Sequence, residues 1–197
     1  VRFLDRAAWA RWLVSDQRGG NGVYDQTGAP MTGTVREVLH DLLNRSGNTA
    51  VRILVNKVLG GNEAVNDRLA QVPQIPNTRL IYVDADRFYL GNTTSKEALF
   101  VLRKVLANQD TYGQYIKQLL TTNIFVNDGV RSQLAGNDYI VLANKTGLLY
   151  DPEGDNFHDV GIVYNTKTHK SYGYSMLTTA PDASPTAPPR ADQSLKD

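Results

Sequence analysis

Hydrophobic positions recur at helical spacing through the first two thirds of the chain and then switch to alternation. Residues 3 to 14 (FLDRAAWARWLV) set Phe3, Leu4, Ala7, Ala8 and Trp12 or Leu13 on one stripe, which predicts a helix. The run RGGNG at 18 to 22 breaks it, and Tyr24 to Thr32 reads as loop. Thr34-Val35-Arg36-Glu37 is a capping box, followed by Val38, Leu39, Leu42 and Leu43 on one face. That helix must stop near Asn44, where Asn44-Arg45-Ser46-Gly47-Asn48 is a run of turn residues. Thr49 can cap a third helix with a buried stripe of Val51, Leu54, Val55, Val58 and Leu59, ended by Gly60 and Gly61. A shorter helix is expected from Glu63 to Ala70.

From Gln71 to Asn92 the pattern is irregular, with Pro73 and Pro76 early and a strand-like Leu80-Ile81-Tyr82-Val83. Thr94-Ser95-Lys96-Glu97 is a second capping box, opening a helix through Leu99, Leu102, Val105 and Leu106. Tyr112 to Leu120 is helical again, with Tyr115, Ile116, Leu119 and Leu120 inward, and Asp128 to Leu134 is a short helix. Period 2 then takes over. Strands are expected at Tyr139–Lys145, His158–Tyr164 and Ser171–Thr178, the last two joined by the turn Asn165-Thr166-Lys167-Thr168. The Pro/Ala/Ser stretch at 180 to 192 reads as a connector. A helical part followed by a meander predicts an α+β protein, with a mostly helical lobe at about 34 to 135 and an antiparallel sheet lobe at about 136 to 178.

Composition narrows the chemistry. The 197 residues are 41% hydrophobic and 21% charged, ordinary for a folded globular domain. A net charge of +1 gives no reason to expect nucleic acid as partner. Cysteine is absent, which excludes disulfides, zinc-thiolate sites and a cysteine nucleophile within these residues. No stretch is long and apolar enough to span a bilayer, and whether the protein is anchored to a membrane is left open.

Two short stretches can carry chemistry. Lys145-Thr146-Gly147 follows the apolar Val141-Leu142-Ala143 and reads as a strand end built to hold an anion. The ammonium gives a point charge with three donors, the threonine hydroxyl adds a directional one, and glycine leaves room along the strand edge. An exposed strand end is the plainer reading. Ser46-Gly47-Asn48 lies in a tight turn between two amphipathic helices. A serine so held can relay a proton near a cation, and the asparagine amide can bond a substrate amide, although the triplet is also ordinary turn chemistry.

Taken together, these stretches resemble the second and third motifs of the penicillin-recognising serine enzymes, the class A β-lactamases and penicillin-binding proteins. TGTVREVLHDLLNRSGNTAVRILVNKVLGGNEAVNDRL is similar to that family's helix, serine corner, buried helix and following helix. NTTSKEALFVLRKVL resembles the helix after its omega loop, and QLLTTN with VRSQLAGNDYIVLANKTG and HDVGIVY resembles the approach to its third motif and the next strand. The resemblance covers roughly residues 32 to 178. It implies one β-lactamase-like domain, an antiparallel sheet packed with helices plus a mostly helical lobe. It also implies acyl transfer on a β-lactam or a D-Ala-D-Ala peptide in the cell envelope, with no cofactor and no metal. In that reading Ser46 relays the proton to the leaving nitrogen, Lys145 with Thr146 binds the substrate carboxylate, and Asn48 bonds the side-chain amide. The backbone after Gly147 helps line the oxyanion hole.

The departures are as informative. The family's nucleophile is a serine followed three residues later by lysine, and no Ser-x-x-Lys occurs in these 197 residues. Thr93-Thr94-Ser95-Lys96 reads as a helix cap instead. The omega-loop glutamate that primes the deacylating water in class A enzymes has no clear counterpart, the matching region offering Asp84 and Asp86. Gly47 stands where class A enzymes usually carry aspartate, which is expected to loosen the corner. Either the nucleophile lies before Val1, in an N-terminal segment that completes the fold, or the chain is a noncatalytic binding or scaffold relative. His40 reads as a packed or surface histidine, and His158 and Asp159 as the start of a strand. Asp151, Glu153, Asp155 and Asp159 read as a solvated connection rather than a calcium loop, and Tyr172 and Tyr174 as sheet packing.

Overall fold

Thr34 does two jobs at once. It ends a strand and caps the helix that follows, its Oγ1 accepting the Glu37 N–H at 3.2 Å while its own N–H donates to Glu37 Oε2 at 2.7 Å. The predicted capping box is therefore formed, and it starts α1 (Val35–Arg45). In the computed structural model, residues 13–16, 31–81, 90–123, 129–134, 137–149 and 155–180 are described. They fall into two compact units, Val1–Thr93 and Thr94–Asp197.

In the first unit β1 (Leu13–Asp16) pairs antiparallel with β2 (Met31–Thr34), from Leu13 opposite Thr34 to Asp16 opposite Met31. Leu13 and Val14, read above as the end of a helix, are strand, and Met31 and Thr32, read as loop, are its partner. Helical spacing in a window of twelve residues cannot register a partner strand far along the chain. The rest of the predicted helix lies outside the described residues. The deepest face of α1 is also turned from the predicted stripe: Val35, Val38, Asp41 and Asn44 are buried, whereas Leu39, Leu42 and Leu43 are half-buried.

Gly47, not Thr49, is the N-cap of α2 (Asn48–Ile53), and no side chain caps it. A π-helical turn, Leu54–Val58, follows directly, closed by Leu59 N–H donating to the Leu54 carbonyl at 2.8 Å. Ala50, Ile53 and Leu54 go inward at ordinary helical spacing, with Val55 beside them, while Val51 stays half-buried and so do Val58 and Leu59 at the end of the wider turn. Gly60 and Gly61, at φ 86° and 95°, end the segment in the left-handed region that glycine tolerates. In α3 (Asn62–Ala70), Asn66 both donates to the Leu80 carbonyl (3.0 Å) and accepts the Leu80 N–H (2.8 Å), which pins β3 (Arg79–Ile81). β3 pairs with β4 (Leu90–Asn92), a strand the sequence pattern did not reveal; Tyr82 and Val83 lie outside the described residues.

The second unit is helices on a sheet. Thr94 caps α4 (Ser95–Ala107) by accepting the Glu97 N–H, and Asp110 caps α5 (Thr111–Thr121) through the Gly113 N–H at 2.8 Å. α6 (Gly129–Gln133) precedes the antiparallel meander β5 (Tyr139–Leu149), β6 (Asp155–Asn165) and β7 (Lys170–Ala180), in that order across the sheet. α4 lies on β6 and β7, α5 on β5, and α6 on β5 and β6. Leu102, Leu119, Leu120, Val130, Ala143, Phe157 and Val163 form the apolar core of this unit. The hairpin turn is as expected, with Asn165 Oδ1 accepting the N–H groups of Lys167 and Thr168.

One placement differs in a way that matters. Lys145-Thr146-Gly147 is not at a strand end. β5 runs on to Leu149, with Lys145 opposite Val160, Thr146 opposite Asp159 and Gly147 opposite His158. A bulge between Val141 and Ala143 resets the alternation just before the motif.

Candidate functional site

The first half of the candidate site is the corner between α1 and α2. Ser46 is the C-cap of α1 at φ 59°, ψ 37°, a left-handed conformation that glycine usually fills. Its N–H donates to the Asp41 carbonyl, and the next N–H, that of Gly47, reaches the same oxygen at 3.1 Å. A non-glycine residue in this region costs about 1 kcal/mol and persists where its surroundings over-determine it. Gly47 has φ −67°, ψ 119°, an ordinary extended conformation, so backbone geometry does not demand glycine there. Space does. A Cβ on Gly47 would stand 1.8 Å from Asp41 Oδ2 and 2.6 Å from Asp41 Cγ. The corner is therefore packed, not loosened: the fully buried Asp41 carboxylate fills the volume beside Gly47. Asn48 opens α2 immediately after.

The second half is the middle of β5. Lys145 is half-buried, and its Nζ donates to the Thr146 carbonyl. Burial pushes the ammonium down from 10.5 to about 8, and the negative charge of Asp159 opposes the fall. At neutral pH it stays predominantly charged, by roughly ten to one. At Gly147 the nearest atom to an added Cβ is His158 Cβ at 3.8 Å, so the fold of this unit does not itself require glycine there. Among the described residues β5 is an outer strand of its sheet, and a glycine on such a strand suits a ligand lying along the backbone.

Behind Lys145 lies a buried polar network that the sequence reading missed. Asn144, wholly buried, accepts at Oδ1 from Asn123 (3.0 Å) and Arg131 (2.9 Å), and donates from Nδ2 to Asp159 Oδ1 (3.2 Å). Asp159 Oδ2 takes the Val130 N–H at 3.0 Å and the Tyr174 hydroxyl at 3.2 Å. Burial pushes the Asp159 carboxyl up from its ordinary value, while these donors and the charge of Arg131 pull it down. The Tyr174 phenol is pushed up, first by burial and then by Asp159. Two glycines make room for the network. Gly129, at φ 55°, would place a Cβ 2.4 Å from Asp159 Oδ2, and Gly161 would place one 2.3 Å from the Tyr174 hydroxyl oxygen. The sequence offered no clear signal for it, because Asn144 is followed by Lys145 and Thr146, and Asp159 is preceded by Asp155, Asn156 and His158.

Ser46 and Asn48 belong to the first unit, and Lys145, Thr146 and Gly147 to the second. Asp84 and Asp86 lie outside the described residues, as do Asp151 and Glu153. Among the described residues no cluster of histidine, cysteine or acidic side chains could hold a metal ion, and no helix is long and apolar enough to cross a membrane.

The sequence profile of the beta-lactamase enzyme family matches residues 10–195. The chain belongs to that family. No curated relative matches it. Among solved structures, a class A β-lactamase from Bacteroides cellulosilyticus is similar at TM-score 0.69 and 18% identity, over 93% of this chain and 69% of that one. A β-lactamase from Chitinophaga pinensis is similar at TM-score 0.68 and 14% identity, over 88% of this chain and 68% of that one. A carbapenemase from Vibrio cholerae is similar at TM-score 0.60 and 20% identity, over 76% of this chain and 59% of that one. The α+β architecture is thus the β-lactamase fold, and the chain spans about 59 to 69% of the length of these structures.

Proposed function

We propose that this chain of the β-lactamase family supplies the proton-relay corner and the anion-binding strand of a serine acyl-enzyme hydrolase or transferase, acting on β-lactams or D-Ala-D-Ala peptides. The observation that carries the reading is Ser46 in a left-handed conformation at a packed helix corner, within the stretch that resembles the family's second motif. Strain of this kind persists only where the surroundings over-determine it, and it clusters at active sites.

In the proposed reaction a serine from outside the 197 residues attacks the substrate carbonyl carbon through its oxygen. The carbon–nitrogen bond breaks, and the proton lost by the attacking hydroxyl passes to the leaving nitrogen by way of Ser46. Lys145 holds the substrate carboxylate with Thr146; partial burial disfavours its ammonium, yet strengthens the attraction of that ammonium for an anion where water is excluded. Asn48 bonds the side-chain amide, and the backbone beyond Gly147 lines part of the oxyanion hole. Water then releases the acyl group, or a second amine takes it. Without a clear deacylating carboxylate, release is slow and the acyl-enzyme accumulates. The substrates place the protein outside the cytoplasm.

Incubation of the natural full-length protein with a labelled penicillin tests this. A persistent covalent adduct supports it, rapid turnover points to an additional deacylating group, and neither adduct nor hydrolysis overturns it. The absence of Ser-x-x-Lys from the 197 residues favours one other reading, a noncatalytic binding or scaffold relative, which predicts that last outcome.

A further inference from the structure

We propose that Asp41 is the positioning residue for Ser46, its carboxylate standing, from the helix side, in the space that a side chain at position 47 would otherwise fill. The role given to Ser46 rests on the acyl-enzyme reading above; the exchange of positions rests on packing alone.

Three observations converge. Asp41 is fully buried, unusual for a carboxylate. Its main-chain oxygen accepts the N–H groups of both Ser46 and Gly47, so its backbone already anchors the strained corner. Its side chain then returns to the same corner and occupies the volume beside Gly47, whose φ and ψ would suit any residue. The glycine at 47 and the aspartate at 41 are thus one packing solution: the first is small because the second is there. Removing the Asp41 side chain leaves a void beside Gly47, the immediate neighbour of a residue held in a left-handed conformation. Ser46 can then relax toward commoner backbone angles and carry its hydroxyl away from the relay position. Misplacement by about 1 Å at such a site is enough to cost roughly a hundredfold in rate.

The test is a double-mutant cycle in the natural full-length protein: Asp41→Ala, Gly47→Asp and the two combined, read by penicillin acylation and thermal unfolding. Asp41→Ala should lower the maximal acylation rate about tenfold or more while the half-saturating penicillin concentration moves less than about twofold, as expected of a residue that orients Ser46 without touching substrate. Gly47→Asp alone should lower both the rate and the unfolding midpoint, because its Cβ meets the Asp41 carboxylate. The double variant returns a carboxylate to the vacated space and should recover the acylation rate to within about threefold of the natural protein. A folded Asp41→Ala variant that acylates at the natural maximal rate overturns the proposal, and so does a double variant no better than the poorer single one. If the natural protein forms no adduct, the acyl-enzyme reading falls, and the midpoints still decide the exchange. Gly47→Asp harmful beside Asp41 but tolerated beside Ala supports it; equal losses in both backgrounds overturn it.

Discussion

Asn144 and Asp159, on neighbouring strands of one sheet, share a 3.2 Å hydrogen bond with almost no solvent reaching either residue. The bond is the centre of a buried network. Asn144 takes two donors and gives one, while Asp159 takes three, from Asn144, Val130 and Tyr174. Asp159 also sits opposite Thr146 in the strand register, next to Lys145, and its charge favours the ammonium that burial disfavours. The network thus links the packing of α6 and β5–β7 to the protonation of the motif lysine.

Asp159→Ala should therefore be strongly destabilising, since it strands the Val130 N–H, the Tyr174 hydroxyl and the Asn144 amide. A loss of about 2–4 kcal/mol is expected, read as a fall in the unfolding midpoint of the natural protein. A midpoint unchanged by the substitution would show that the network contributes nothing net.

The strained corner makes an opposite prediction. Ser46→Gly replaces a left-handed serine by the residue that tolerates that conformation, so stability should rise by about 0.5–1 kcal/mol. Acylation should meanwhile fall about a hundredfold or more, because the relay hydroxyl is gone. Penicillin acylation and thermal unfolding on the same sample measure both. Unchanged acylation would remove Ser46 from the mechanism.

Lys145 gives the pH dependence. Its pKa is about 8 when folded and near the ordinary 10.5 when unfolded. Below pH 8 both states hold the proton and the burial penalty is present in full. Between about 8 and 10.5 the unfolded chain binds more protons, so this group makes stability rise with pH across that window. Binding runs the other way. The half-saturating concentration of a penicillin with a free carboxylate should climb as pH rises through about 8, while that of its methyl ester should not. Lys145→Ala should weaken the free acid by about 1.5–3 kcal/mol and leave the ester almost unaffected.

At the start of α1, Thr34→Ala removes the acceptor of the Glu37 N–H and half of the reciprocal cap. A destabilisation of about 1 kcal/mol is expected, with the maximal acylation rate retained. Chemical denaturation gives the first quantity and the labelled penicillin the second.

Local rules carried a good deal of this protein. The caps at Thr34 and Thr94, the helix bounds near 35–45 and 95–107, and the three-stranded meander follow from residue type and spacing within a few positions. Those signals act between neighbours in the chain, through a hydroxyl three residues from an amide or alternation along one strand. The turn at Ser46 between two helices was legible for the same reason, whereas Lys145-Thr146-Gly147, read as a strand end, lies within β5.

Position in space was not. β4 was invisible because three residues pair only in the presence of β3, and Val58 and Leu59 fall off the predicted buried stripe at a π-helical turn that spacing does not foresee. The sequence likewise set Gly47 down as a gap, and the fold fills it with a carboxylate from six residues earlier. Asp159, read as part of a solvated connection, is instead buried, because the sheet brings it to Asn144 away from water. Residue identity by itself determined which groups can donate, accept or carry charge. Tertiary structure decided which of them lose their water and which find partners, because desolvation and hydrogen bonding depend on neighbours distant in the chain.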